Sequence, residues 1–308
     1  MNKQYLIVML ALLPTQHIKP SDYNMNKLYT IGGVTALIGA LAYATHSHIN
    51  QPITIPNTAD SAIKSIIFDI DGVLSTTNKL RAFYEVGLPA TLWEIADQMK
   101  LPSEQLLFDI LADVPAVSTD HSYTKGLQMP QIMIDWQTGA QSLSAIRKSI
   151  IDYLATSNKP ESAKNWALQT AMMMTDPAKF VATRQTITAN VELLHQLKEK
   201  GYKLYVLSNW DPNSFPLFKA AFPEIFMHNN KETFDGIMIS GNVGLVKPNS
   251  AIFKQCLKKF GLTAQETLFI DDEPANVASA EKLGIQTVLS NPHNPKDVHD
   301  QVIQKLVS

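Results

Sequence analysis

The 308-residue sequence contains a single cysteine, Cys256. An intrachain disulfide and a cysteine-built zinc site are therefore excluded. Basic charge is not in surplus: 26 Lys and Arg against 28 Asp and Glu leave a net charge of −2. Nucleic-acid binders usually carry a strong basic excess, so no nucleic-acid partner is expected. A small anionic ligand needs only local positive charge and stays open. Internal repeats and low-complexity tracts are also absent. Hydrophobic residues make up 45% and charged residues 18%, a globular composition that excludes a largely disordered chain. The length suits about two domains.

Long apolar runs are confined to the first part of the chain. Residues 5–13 (YLIVMLALL) form a short one, and residues 28–44 (LYTIGGVTALIGALAYA) an uncharged longer one behind Met25-Asn26-Lys27. The second ends in Ala42-Tyr43-Ala44, a small-x-small pattern that fits a secretory signal if translation starts at Met25. It also just reaches the ~17 residues that a membrane span requires. Export or membrane attachment through residues 28–44 is the favoured expectation, against a buried helix and a cytoplasmic location. Residues 45–62 are polar, with Pro52 and Pro56, and read as a linker. Residues 1–62 are thus expected to form an N-terminal apolar segment and linker.

Beyond the linker, short apolar runs alternate with helical periods. Strands are expected at residues 65–70, 203–207, 267–270 and 285–289. Helices are expected at 188–200, after Pro212, at 249–260 and at 274–283, several of them stopped by glycine (Gly201, Gly261, Gly284). Such alternation argues for an α/β fold with a parallel sheet and helices on both faces. One connection is anomalous. Residues 71–202 separate the first two strands, whereas a crossover needs only a dozen or more residues. The stretch holds several amphipathic helical segments, among them 90–100, 103–114, 142–157 and 161–174. An inserted helical cap over 79–186 is expected, leaving 63–78 and 187–308 as the core. The cap begins directly after the Asp69–Asp71 turn, where it can act as a lid.

Ligands of open parallel sheets bind beyond the carboxyl ends of the strands. Three expected strands end in Asp69/Asp71, Ser208/Asn209 and Asp271/Asp272. Asp69 and Asp71, spaced i, i+2, point to one side if the chain is extended. Carboxylates crowded in this way cannot all ionise without a cation. A hard divalent ion such as Mg²⁺ resolves the conflict through oxygen ligands. Asp271 and Asp272 are adjacent and diverge, so one of them should ligate. Ser208 offers a hydroxyl to an anion, and the Lys247 ammonium can bind a phosphate oxygen. Together these groups make a phosphoryl-transfer set, with Asp69 as candidate nucleophile and Asp71 as acid and then base. Taken singly, each has a bland reading: Asp-x-Asp-Gly and Ser-Asn as turns, Lys247 as a solvated lysine.

Four stretches in order change that weighting. Phe68-Asp69-Ile70-Asp71-Gly72-Val73-Leu74, Leu207-Ser208-Asn209, Gly244-Leu245-Val246-Lys247-Pro248 and Phe269-Ile270-Asp271-Asp272-Glu273-Pro274-Ala275-Asn276-Val277 resemble the motifs of the haloacid dehalogenase-like (HAD) hydrolases. The resemblance covers about residues 63–292. It implies a Rossmann-like parallel sheet of order 5-4-1-2-3 with an α-helical cap. It implies Asp69 as the phosphorylated nucleophile and a metal ligand. Asp71 becomes the general acid/base, with its backbone carbonyl on the metal. Ser208, with Asn209, matches the phosphate-binding motif, Lys247 the lysine that stabilises the phosphorylated aspartate, and Asp272 the principal acidic metal ligand beside Asp271. True dehalogenases of the family lack the second aspartate and use no metal. Asp71 therefore favours a Mg²⁺-dependent phosphatase acting on a small phosphoester. A dehalogenase and a catalytically silent binding module are the alternatives. Trp210 and Asp211, directly after the second motif, and Asp135 and Trp136, near Pro130 in an expected cap loop, are further candidates for the pocket wall, with helix capping the competing role for Asp211.

Overall fold

Strand β1, Ser65–Phe68 (SIIF), is buried at every position. Apolar, β-branched runs of this kind belong in the middle of a sheet covered on both faces. In the computed structural model, which describes residues 55–87, 91–92, 95 and 102–307, that is where β1 lies. The other strands are β2 (Lys203–Ser208), β3 (Gly236–Ile239), β4 (Thr267–Asp271) and β5 (Gln286–Leu289). All neighbours pair in parallel, in the order β5-β4-β1-β2-β3, which is the expected topology. Strand β3 is the element that periodicity did not supply. Its sequence, GIMI, is short and opens on a glycine, so neither alternation nor β-branched enrichment marks it.

Register decides what the strand tips bring together. Phe68 is level with Ile270 on one side and Val206 on the other. One residue further, Asp69 therefore stands beside Asp271 and Leu207, with Ser208 next. The backbone N–H of Asp69 donates to Ile270 O at 2.9 Å, extending the ladder past the strand's end.

Between the short strands Ser75–Thr77 and Arg184–Thr186 the chain makes six described helices: Lys79–Val86, Glu104–Leu111, Gln131–Thr138, Leu143–Thr156, Glu161–Met174 and Pro177–Ala182; a seventh, Thr188–Glu199, then leads into β2. Side-chain caps start several of them. Ser103, Ser142 and Asp176 accept from backbone N–H groups of their first turns, as such residues do at N-caps. The amphipathic segment expected at 90–100 falls mostly outside the described residues. Two linkers tie this helical layer to the sheet, Ser75–Thr77 going out and Arg184–Thr186 coming back, paired antiparallel. The layer and the sheet share one buried cluster. Phe180 joins them, its ring 5.0 Å from Trp136 and 5.6 Å from Trp210 in edge-on geometry.

The end of the expected linker is packed against the core. Ile55 is buried in the main cluster, and the Thr58 hydroxyl donates to Lys200 O at 3.1 Å. The apolar runs at 5–13 and 28–44 lie outside the described residues. Among the described residues no helix is long and apolar enough to cross a membrane.

Phe180→Ala should cost about 3–5 kcal/mol of stability, the usual range for truncating a buried phenylalanine. Urea denaturation checks this; a loss below about 1 kcal/mol would show that the bridge between layers is not energetically coupled.

Candidate active site

Asp69 follows β1 and begins a tight turn. Ile70 O accepts from the N–H groups of Leu74 and Ser75 at 2.8 Å, and Gly72 N donates to Ser75 O at 2.7 Å. Gly72 has φ +76°, a conformation that L side chains rarely adopt. Space demands glycine there too, since a Cβ would overlap the Asp272 carboxylate. The turn and the Asp272 side chain are thus in direct contact.

Asp69, Asp271 and Asp272 each present a carboxylate oxygen within 4.8 Å of the others. Lys247 is fully buried, with Nζ 3.0 Å from Asp69 Oδ1 and 2.6 Å from Asp271 Oδ2. Asp69 Oδ1 also accepts from Ile70 N at 2.7 Å, and the Ser208 hydroxyl lies close enough to this carboxyl to favour its ionised form. Asp271 spends both oxygens on protein donors. Oδ1 takes Glu273 N and Asn276 Nδ2, each at 2.9 Å, and Oδ2 takes Lys247. Glu273 and Asn276 flank Pro274, which starts the helix Pro274–Glu281 at the position proline tolerates best.

One ammonium does not balance three carboxylates. Burial, chiefly, pushes Asp69 up from 3.8 to about 7, with Asp271 adding to it and Lys247 opposing. Asp272 rises to about 8, through burial and then the charges of Asp69, Asp271 and Asp71. Burial works against the Lys247 ammonium, but Asp271 and Asp69 outweigh it and hold that group above its ordinary value. Hard carboxylate oxygens of Asp69 and Asp272, beside the occupied Asp271 and with a surplus of negative charge, are the kind of donor that Mg²⁺-type cations take. The residues present therefore fit a divalent cation.

Asn209 and Asp71 are placed differently from the others. The Asn209 amide clamps the Lys247 backbone, accepting from its N–H at 2.8 Å and donating to its carbonyl at 3.0 Å. The same Nδ2 lies 3.0 Å from Ser122 Oγ of the cap. Asp71 is not part of the carboxylate trio. The i, i+2 rule holds only for extended chain, and β1 ends at Phe68. Asp71 instead faces outward, 52% exposed, with Oδ2 2.9 Å from Arg184 NH1.

Of the pocket-wall candidates, Asp135 and Trp136 lie on the helix Gln131–Thr138 and not in a loop. Asp135 is fully buried and accepts from Val117 N, Ser118 N and Gln141 Nε2, so it anchors a cap loop. Trp210 is buried, its Nε1 donating to Ser214 Oγ at 2.7 Å. Asp211 accepts from Asn213 N and Ser214 N at 3.0 Å and caps the turn ahead of the helix Phe215–Ala221. Two features escaped the sequence reading. The hairpin Tyr123–Thr124/Leu127–Gln128 reaches from the cap to the site, where Gly126 N donates to Glu273 Oε2 at 3.0 Å. Its Lys125-Gly126 turn, with φ +50° and +75°, was the available signal, weaker than Asn-Gly. Arg184 carried none, being one arginine in a short polar stretch.

A family model of haloacid dehalogenase-like hydrolases matches residues 63–284, and the chain belongs to this family of enzymes. Over 93 residues it is 32% identical to a sesquiterpene phosphatase of Aspergillus oryzae, spanning 30% of this chain and 44% of that one. Over 111 residues it is 30% identical to a glyceraldehyde 3-phosphate phosphatase of Pyrococcus abyssi, spanning 36% and 44%. The chain thus matches less than half the length of these two curated relatives. A solved HAD family enzyme of Bacteroides thetaiotaomicron, in a magnesium complex, aligns over 75% of this chain and 94% of that one, at 20% identity and a TM-score of 0.48.

The raised carboxyls have a consequence for stability. Asp69 at about 7 and Asp272 at about 8 keep protons that the unfolded chain, at 3.8, has released. The metal-free protein should therefore lose stability as pH rises from about 4 to about 8. Mg²⁺, which favours the ionised carboxylates, should remove most of that loss. Thermal melts across this range with chelator or with Mg²⁺ test it; melting temperatures flat in pH and indifferent to Mg²⁺ would contradict it.

Proposed function

We propose that the chain is a Mg²⁺-dependent phosphatase that hydrolyses a small organic phosphomonoester through a phospho-aspartate on Asp69. The observation that carries this reading is the meeting of Asp69, Asp272 and the buried Lys247 at one sheet edge, with Asp71 two residues from Asp69. The printed names of the phosphatase relatives support it, and so does an acidic residue at position 71.

Asp69 and Asp272 are the side chains proposed to hold the ion, with the Asp71 carbonyl. Asp271, whose oxygens are taken, serves to fix Lys247. A bound Mg²⁺ would supply charge neutralisation for a phosphoryl group and its transition state. The chain's own residues do the rest. An Asp69 oxygen attacks phosphorus as the bond to the leaving oxygen breaks, and Asp71 gives that oxygen its proton. Asp71 then takes a proton from water, which attacks the aspartyl phosphate, releasing inorganic phosphate and restoring Asp69. Lys247 and the Ser208 hydroxyl offset charge on the transferring group. The cap shields the cleft and selects the substrate. Export or membrane attachment through residues 28–44 belongs to the same proposal, and mass spectrometry of the mature N-terminus tests it.

Asp69→Asn should abolish phosphate release while the circular-dichroism spectrum and melting curve remain those of a folded protein. A phosphoester panel with and without Mg²⁺ gives the companion result, turnover that requires the metal. Full turnover by the variant would refute the nucleophile. Halide release from 2-haloacids without metal, or no phosphate from any ester, would refute the phosphatase.

A further inference from the structure

The Arg184 side chain is 7% exposed, although it ends on a half-exposed carboxylate. It comes from the strand Arg184–Thr186, by which the chain returns from the cap. There Arg184 is level with Thr77 of the outgoing linker. Its guanidinium carbon lies 4.4 Å over the ring of Phe180, the residue that joins cap and sheet. A planar, stacked guanidinium loses little further freedom on forming a hydrogen bond. Asp71, by contrast, is on a turn beyond the end of β1 and reaches toward solvent. Arg184 NH1 engages its Oδ2; the contact leaves Oδ1 unrestrained. No other described residue forms an ion pair with Asp71, and Arg184 Nε is buried with no hydrogen-bond partner. A buried cation with an unused donor is costly to keep. An exposed surface pair would be worth little for stability, so the arrangement calls for a use other than stability.

We propose that Arg184 is a positioning residue for Asp71: from the paired cap linkers it holds the Asp71 carboxyl where Oδ1 can pass a proton to the leaving oxygen. The proposal deepens the phosphatase reading and rests on it. It makes alignment of the acid depend on the cap linkers being paired, because Arg184 belongs to one of them. Misplacing a catalytic group by about 1 Å costs on the order of a hundredfold. Proton donation itself is worth about 10²–10⁴-fold, and only where the leaving group needs a proton.

The test compares two substrates with Mg²⁺ present. A simple alkyl phosphate must gain a proton on its leaving oxygen, whereas dinitrophenyl phosphate leaves as a stable anion. For Arg184→Ala, kcat/KM for the alkyl ester should fall on the order of a hundredfold. For the dinitrophenyl ester it should stay within about threefold, because that parameter stops at phosphoenzyme formation and no proton is needed. Arg184→Lys should recover part of the alkyl activity, and it carries the comparison if the alanine variant does not fold. Equal losses on both esters would make Arg184 merely structural and overturn the proposal, as would no loss on the alkyl ester. Asp69→Asn run in parallel separates the two ideas. Activity of that variant on the dinitrophenyl ester would sink the nucleophile, while the selectivity ratio still judges Arg184.

Discussion

The Lys247 ammonium, 3.0 Å from Asp69 and 2.6 Å from Asp271, organises everything around it. It is wholly buried, and a buried charge survives only when paired and hydrogen-bonded. Asp271 meets that need from below, itself fixed by Glu273 N and Asn276. Asn209 holds the Lys247 backbone from the side. Removing one partner of such a pair typically costs about 3–5 kcal/mol, because the other charge is left stranded. The same cation cannot also neutralise Asp272, which stays pushed up to about 8. An acidic surplus in a dry place is the condition under which a hard divalent cation binds.

The sheet supplies the precision. Parallel register puts Asp69 level with Asp271 and one step short of Ser208. Side chains from positions as distant as 69, 208, 247 and 271 then need no long reach to meet. The tight turn at Gly72 packs its backbone against Asp272 and starts the path into the cap. Contacts from the cap return to the same place: Ser122 to Asn209, Asp120 to Asn249 and Gly126 to Glu273. Each touches a residue within two positions of Ser208, Lys247 or Asp272. Cap position and site geometry are therefore mechanically linked.

Much of this was legible in the sequence, for physical reasons. Buried strands such as SIIF and TLFI carry their burial in their composition, and glycine stops mark the helices before Gly201, Gly261 and Gly284. The length of 71–202 required an insertion, and the residues at the strand tips gave the chemistry. What escaped depends on tertiary placement. Strand β3 is an edge element with a glycine start. The role of Asn209 follows from where Lys247 comes to lie, and the outward turn of Asp71 from the ending of β1 at Phe68. Arg184 has meaning only beside Asp71, 113 residues away, and no spacing rule connects them. Asp135 looked like a pocket residue because it lies near Pro130 in what reads as a cap loop, yet its carboxylate is consumed by two backbone N–H groups and Gln141.

The central claim is that Asp69 and Asp272 form, with the charge left over from Lys247, a seat for one divalent cation. Calorimetric titration of the metal-free protein with Mg²⁺ tests it most directly, comparing the natural chain with Asp272→Asn. A single saturable site that disappears in the variant, while the variant keeps its fold, is the result expected. Equal binding by both proteins, or no binding by either, would contradict the account.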